Sequence, residues 1–419
     1  MRSKKGNQVA SALLVSLLSM LIPMILATRV LKSALHLSLL YMVGYTILIV
    51  SILVSCDRES IQIDRNSISA LILYVIVLIL PLVNDIVQGV TINFYDPINS
   101  LIKIVNFFIF YMLIENIEVN KEAVYRFVRA VVILSVIACL FSIFFEFDEI
   151  LSIRYVSNTN TLRIRSFFSN RNQYAAFLVI GLIANLYSYQ LKKQKRNILI
   201  FILQILCILS TFSRAALFSS IIIIALMVLQ MRDTKKKIAL LLLALIIGVG
   251  FVFTTGVFDY FIKNYIRWSQ GVDSGRFILW KYAWDTAKIN LFTGVGFYTG
   301  VDIAISNGMG LDQFHNMFFD LLVDGGIFEV FFIIGMFYSV YRRCSQKCVD
   351  MRLLAVYRAS FAAFIFHACF ESLSVFALSY SDTMYSIFFV SLPLLLSKVK
   401  GETPETKAPS CTQTDYSGA

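Results

Sequence analysis

The chain has 419 residues, of which 58% are hydrophobic and only 15% charged, and its mean hydropathy is +0.75. That balance excludes a soluble protein of two or three domains, which would carry far more charge. The net charge of +11 is accounted for by Lys and Arg placed in loops, so it does not point to nucleic acid.

Apolar runs near the roughly 20 residues with which a helix crosses about 30 Å of hydrocarbon recur from end to end. The fold class read from them is an all-α polytopic membrane protein in the lipid bilayer. It has twelve expected spans: 9–28, 34–55, 67–83, 97–114, 123–146, 172–190, 197–212, 214–231, 237–258, 316–341, 353–371 and 375–396. The first follows Arg2, Lys4 and Lys5, is long for a signal-peptide core and lacks an Ala-x-Ala site, so it reads as an uncleaved span. Lys and Arg then set the orientation. Of the 37, 22 fall on the side of the two termini, 12 on the opposite side, and three (Lys103, Arg129 and Arg358) within spans. Both termini are therefore expected in the cytoplasm. The transmembrane domain covers 1–397, and the polar stretch 398–419 reads as a disordered cytoplasmic tail. The seven cysteines avoid the outer loops, so no disulfide is expected, and Cys344 and Cys348 lack the second nearby pair that a zinc site needs.

Two outer loops are long, 147–171 and 259–315. Against the positive-inside bias they carry Arg154, Arg163, Arg165, Arg171, Arg267 and Arg276, with Lys263, Lys281 and Lys288. Arg214 sits in the short outer turn "STFSRAAL", amid Ser210, Thr211 and Ser213. Cations held against the topological bias suit a bound anion. The guanidinium fork donates two parallel hydrogen bonds to a phosphate. The competing reading is that outer arginines snorkel to lipid headgroups. It suits Arg154 or Arg267 better than Arg214, whose turn is too short to serve as an interaction loop.

"DSGRFILWKYAWDTAKINLFTGVGF", 273–297, predicts an amphipathic surface helix. Asp273 or Ser274 is its expected N-cap, Phe277, Trp280 and Trp284 its apolar face, and Lys281–Asp285 an i,i+4 pair. Gly294 and Gly296 then permit a tight turn. With no preceding strand they do not make a nucleotide fingerprint.

His315 stands where the large loop re-enters the membrane, and Asn316 beside it can cap the next helix. The acids Asp320 and Asp324 follow at helical spacing, placed to orient an imidazole or hold a sugar hydroxyl, and Gly325-Gly326 can break the helix. The other two histidines, His36 and His367, lie inside apolar runs and read as structural.

In order and topology these stretches resemble the superfamily of O-antigen polymerases and O-antigen ligases. "SGRFILWKYAWDTAKINLFTGVGF" followed by "HNMFFDLLVDGGI" is similar to the family's Arg/aromatic helix, Gly-x-Gly turn and His-Asn re-entry. "STFSRAAL" resembles its Ser-Arg span start and "SFFSNRNQYAAF" its Asn-rich entry to an earlier span. Glu329 departs from the family, which more often has a small residue there. The resemblance implies a type-C membrane fold and a metal-independent glycosyltransferase with no cofactor. Domain 1–397 would then be catalytic. The implied partners are an undecaprenyl-diphosphate-linked glycan donor and a glycan acceptor, together with a chain-length regulator and a flippase. By position Arg214 and Arg276 match the diphosphate-binding arginines and His315 the proposed base. Arg165, Arg171, Asp320 and Asp324 are further candidates for binding substrate.

On that reading His315 takes the acceptor proton while Arg214 and Arg276 neutralise the leaving diphosphate, with inversion at the anomeric carbon. The polymerase is favoured, with a ligase acting on lipid A-core as the alternative. A transporter would place ionisable groups deep in several spans. The sequence shows mainly Lys103, Arg129 and Arg358 there, and its charged cluster lies at the rim.

Overall fold

The computed structural model describes residues 65–114, 121–152, 164–168, 170–230, 275–310, 313–348, 350–373, 375–377 and 380–398. The expected spans 9–28, 34–55 and 237–258, the tail from 399, and Arg154, Arg163, Lys263, Arg267, Asp273, Ser274 and Asp312 lie outside them. Among the described residues the chain is all helical, without a strand. In order the helices are α1 (Arg65–Gln88), α2 (Tyr95–Phe107, running on as a π-helix to Leu113), α3 (Lys121–Phe145), α4 (Arg171–Lys192), α5 (Arg196–Ser210) and α6 (Arg214–Leu229). Then come α7 (Arg276–Ala287), α8 (Phe297–Ser306), α9 (Met317–Asp324), α10 (Gly326–Lys347), α11 (Met351–Ala368) and α12 (Tyr380–Ser386, continuing to Leu396 through π-helical Ile387–Ser391). Among the described residues four stretches, Arg65–Gln88, Tyr95–Leu113, Lys121–Phe145 and Arg171–Lys192, are long and apolar enough to cross a membrane.

The helix starts follow local grammar. Asn170, extended, accepts from Gln173 N (2.9 Å) and opens α4. Asp350 accepts from Arg352 N (3.0 Å) and opens α11. Between them α3, α4 and α5 are tied by buried amides. Asn197 Nδ2 donates to Asn185 Oδ1 (2.7 Å) and Gln204 Nε2 to Ser135 Oγ (2.7 Å). Amides paired in this way leave no lone polar group in an apolar interior, where one is costly.

The expected span 316–341 is two helices, broken between Asp324 and Gly326. The break leaves backbone groups unpaired, and the segment after α7 supplies their partners. Val295 N donates to Val323 O (2.9 Å) and Gly296 N to Asp324 O (3.0 Å). Ile327 N donates to Leu291 O (2.9 Å) and Phe328 N to Phe292 O (3.2 Å). This close approach is why the segment is Gly-x-Gly. Gly294 has φ +74°, and a Cβ there would collide with the Asp324 carbonyl. The two glycine motifs, Gly294-x-Gly296 and Gly325-Gly326, are halves of one joint.

Asp96 at the start of α2 caps the next helix across space. Its carboxylate accepts from Tyr298 N (2.8 Å), Thr299 N (2.8 Å) and Thr299 Oγ1 (2.6 Å), which are first-turn donors of α8. Below it Lys103, 2% exposed, pairs with Asp324 and with Glu329 (2.7 Å). The joint, α8 and α2 are thus locked into one body.

Two expectations for 273–297 are corrected: the N-cap of α7 is Gly275, left-handed and without a side-chain cap, rather than Asp273 or Ser274, and the ion pair of Asp285 is not with Lys281. Helix α7 buries Leu279, Ala283, Thr286 and Ala287, while Phe277 and Trp284 are exposed. Small residues let the helix pack closely against the bundle, and the large aromatics are left facing outward. Asp285 pairs with Lys288 (2.9 Å), its i,i+3 neighbour, rather than Lys281.

Candidate active site

Glu371 lies just past the end of α11, and three elements converge on its carboxylate. Arg276 Nη2, on the first residue of α7, is 2.8 Å from Oε1. Asn172 Nδ2, in the first turn of α4, donates to the same oxygen at 3.2 Å. His315 Nδ1 is 3.4 Å from Oε2, longer than a full hydrogen bond but within charge contact. His315 takes a left-handed backbone, φ 53°, which turns its ring toward this cluster before α9 begins. Asn316 holds the turn at both ends. Its oxygen accepts from Phe318 N (2.9 Å) and Phe319 N (3.2 Å), and its nitrogen donates to Cys369 O (2.9 Å), two residues from Glu371.

The surroundings grade from aromatic to polar. Phe370 lies under the Arg276 guanidinium at 5.9 Å and beside Trp280 at 6.2 Å; Trp280 also meets Phe319 at 6.0 Å. Stacking of this kind holds a guanidinium flat while its remaining donors stay available. The side chains of Arg276 and His315 keep 20% and 26% of their exposure, so both can be reached by a ligand. Burial alone would push the Glu371 carboxyl up. The His315 contact and the charge of Arg276 outweigh it and hold Glu371 below the ordinary carboxylate range.

Arg214 is the first residue of α6. Ser219 Oγ donates to Ala363 O (3.3 Å) and Phe218 meets the Phe366 ring at 6.1 Å, so α6 runs antiparallel to α11. That packing puts Arg214 at the end of α11 that carries Cys369 and Glu371. Arg171 is the neighbour of Asn172 and begins α4. Arg165 lies in the preceding turn, where its backbone N–H and that of Ser166 donate to Glu146 at 3.1 and 2.9 Å. Asp320 is 2% exposed, one turn into α9 behind His315. Asp324 faces elsewhere: it pairs with Lys103 and accepts from Phe297 N at 3.1 Å. His367 is buried within α11.

The acid against His315 is therefore Glu371, which sequence reading had absorbed into the expected span 353–371. The signal was a carboxylate at the end of an apolar run, a position that is costly without a partner. Among the described residues no group of three His, Cys, Asp or Glu side chains is arranged to hold a metal ion. A partly exposed imidazole backed by a carboxylate, with a cation beside it, can take a proton near a bound anion.

A search of curated proteins finds no match to the chain. Residues 199–334, the stretch that holds Arg214, Arg276, His315, Asp320 and Asp324, match the O-antigen ligase family model. This match supports placing the chain, a membrane protein, in the superfamily of O-antigen polymerases and ligases.

Proposed function

We propose that the protein polymerises undecaprenyl-diphosphate-linked oligosaccharide repeats into O-antigen or capsular polysaccharide at the outer face of the cytoplasmic membrane. It does so from a twelve-span, type-C frame with both termini cytoplasmic. The observation that carries the reading is the convergence of Arg276 and His315, both within the matched residues 199–334, on Glu371, which lies beyond them.

In the reaction, the Nε2 lone pair of His315 accepts the proton of the acceptor sugar hydroxyl. The freed oxygen attacks the anomeric carbon, and the bond from that carbon to the diphosphate oxygen breaks. The electron pair leaves with the lipid diphosphate, whose growing charge meets Arg276 and Arg214. Cleavage of the diphosphate ester drives the step, so no nucleotide is consumed, and arginines do the work of a divalent cation. Arg165 and Arg171 hold the donor, and Asp320, buried behind His315, acts on the acceptor only through that residue. Asp324 contributes by holding the joint in place through Lys103.

The description of the matched family, O-antigen ligase, favours a second acceptor, lipid A-core. Purified protein given lipid-linked repeats alone separates the two. A ladder of lengthened glycan supports polymerisation. Turnover only after lipid A-core is added supports ligation.

A further inference from the structure

Resting on the glycosyl-transfer reading, we infer that Glu371 is a positioning residue that sets the tautomer of His315 and divides the donors of Arg276. Its two oxygens face different partners. Oε2, near Nδ1 at 3.4 Å, favours the neutral imidazole with its proton on Nδ1, and this leaves the Nε2 lone pair for the acceptor hydroxyl. Oε1 takes one nitrogen of Arg276 at 2.8 Å, so the guanidinium is held in place while its other N–H groups remain for phosphate. Asn172 fills the remaining lone pair of Oε1 at 3.2 Å, which fixes the carboxylate against rotation. No other described acid is this close to the imidazole: Asp320 is buried behind His315 and Asp324 is paired with Lys103.

The charge environment is shared by several elements. Arg276 faces Glu371 from α7, His315 from the turn before α9, His367 from α11 and Tyr385 from α12. Asp320 faces His315 from α9. Removing the charge of Glu371 withdraws the acceptor that faces Nδ1 and orients the imidazole, so kcat should fall. Arg276 is released from its ion pair at the same time, so donor binding should not weaken.

The test uses full-length purified Glu371→Gln and Glu371→Asp beside His315→Ala, with kcat and KM measured on lipid-linked repeats. Glu371→Gln is expected to lose at least about tenfold in kcat and to keep or lower the donor KM. Should Glu371→Gln not accumulate, Glu371→Asp retains the charge but draws the carboxylate back by one methylene, and a similar loss of kcat with the donor KM kept is expected. Wild-type kcat in the variant obtained, or a raised KM with intact kcat, would overturn the role of Glu371. Those results with an inactive His315→Ala leave the glycosyl-transfer reading standing. A fully active His315→Ala removes the reading and the inference together.

Discussion

The two oxygens of Glu371 separate Arg276 from His315: one lies 2.8 Å from the guanidinium and the other 3.4 Å from the imidazole. The three residues come from the start of α7, the turn before α9 and the end of α11. The long loop and the helical bundle therefore meet at one carboxylate, and the chemistry proposed for the protein is placed at that meeting point.

Arg276 must serve the carboxylate and the ligand at once; its planar fork can do so through separate nitrogens and still offer a phosphate parallel donors, geometry that a single ammonium nitrogen lacks. Arg276→Lys is expected to lower kcat/KM by about 10- to 100-fold, and Arg276→Ala to abolish polymer, with both proteins accumulating normally. Glycan ladders from purified variants check this. Full activity of the Lys variant would mean that a diffuse positive charge suffices.

The joint between Leu291–Gly296 and the break in α9–α10 is tested through Gly294. Alanine there takes on a left-handed φ of +74° and a collision with the Asp324 carbonyl. Gly294→Ala should destabilise the protein by roughly 1–3 kcal/mol, seen as a lowered melting temperature in detergent. Gly335→Ala, in α10 with open space at its Cβ, should be close to neutral.

Lys103 is the partner of two buried carboxylates. Lys103→Met leaves Asp324 and Glu329 without it and should cost about 3–5 kcal/mol. Adding Asp324→Asn and Glu329→Gln to that variant removes the uncompensated charges and should recover much of the loss. A Lys103→Met protein as stable as wild type would show that the cluster does not hold the joint.

Orientation has its own test. Ser306, exposed at the end of α8, is expected outside from the Lys and Arg distribution. A single cysteine at 306 in a cysteine-free background should react with an impermeant maleimide on intact spheroplasts. Labelling only after lysis would reverse the topology.

What the sequence made legible was local. Asn316 as a cap, Asn170 before α4, and the helix break at Gly325-Gly326 all follow from residue type and short spacing. The rest depends on pairings between distant segments. Nothing near Asp320 and Asp324 marks them as different, yet Lys103, 221 residues before Asp324, claims one of them and leaves the other behind His315. Glu371 meets its partners from 95 and 199 residues away. In α7 the alanines make the close packing face while Phe277 and Trp284 stay exposed, a division that spacing alone does not assign.

The most direct measurement is the rate at which purified His315→Gln extends lipid-linked repeats at neutral pH. Glutamine keeps a hydrogen-bonding group at the turn but takes no proton, so a general base at His315 predicts a rate lower by about 10²–10⁴, with donor binding retained. A wild-type rate in a correctly folded His315→Gln protein would contradict the account: His315 would then be only a structural element of the turn.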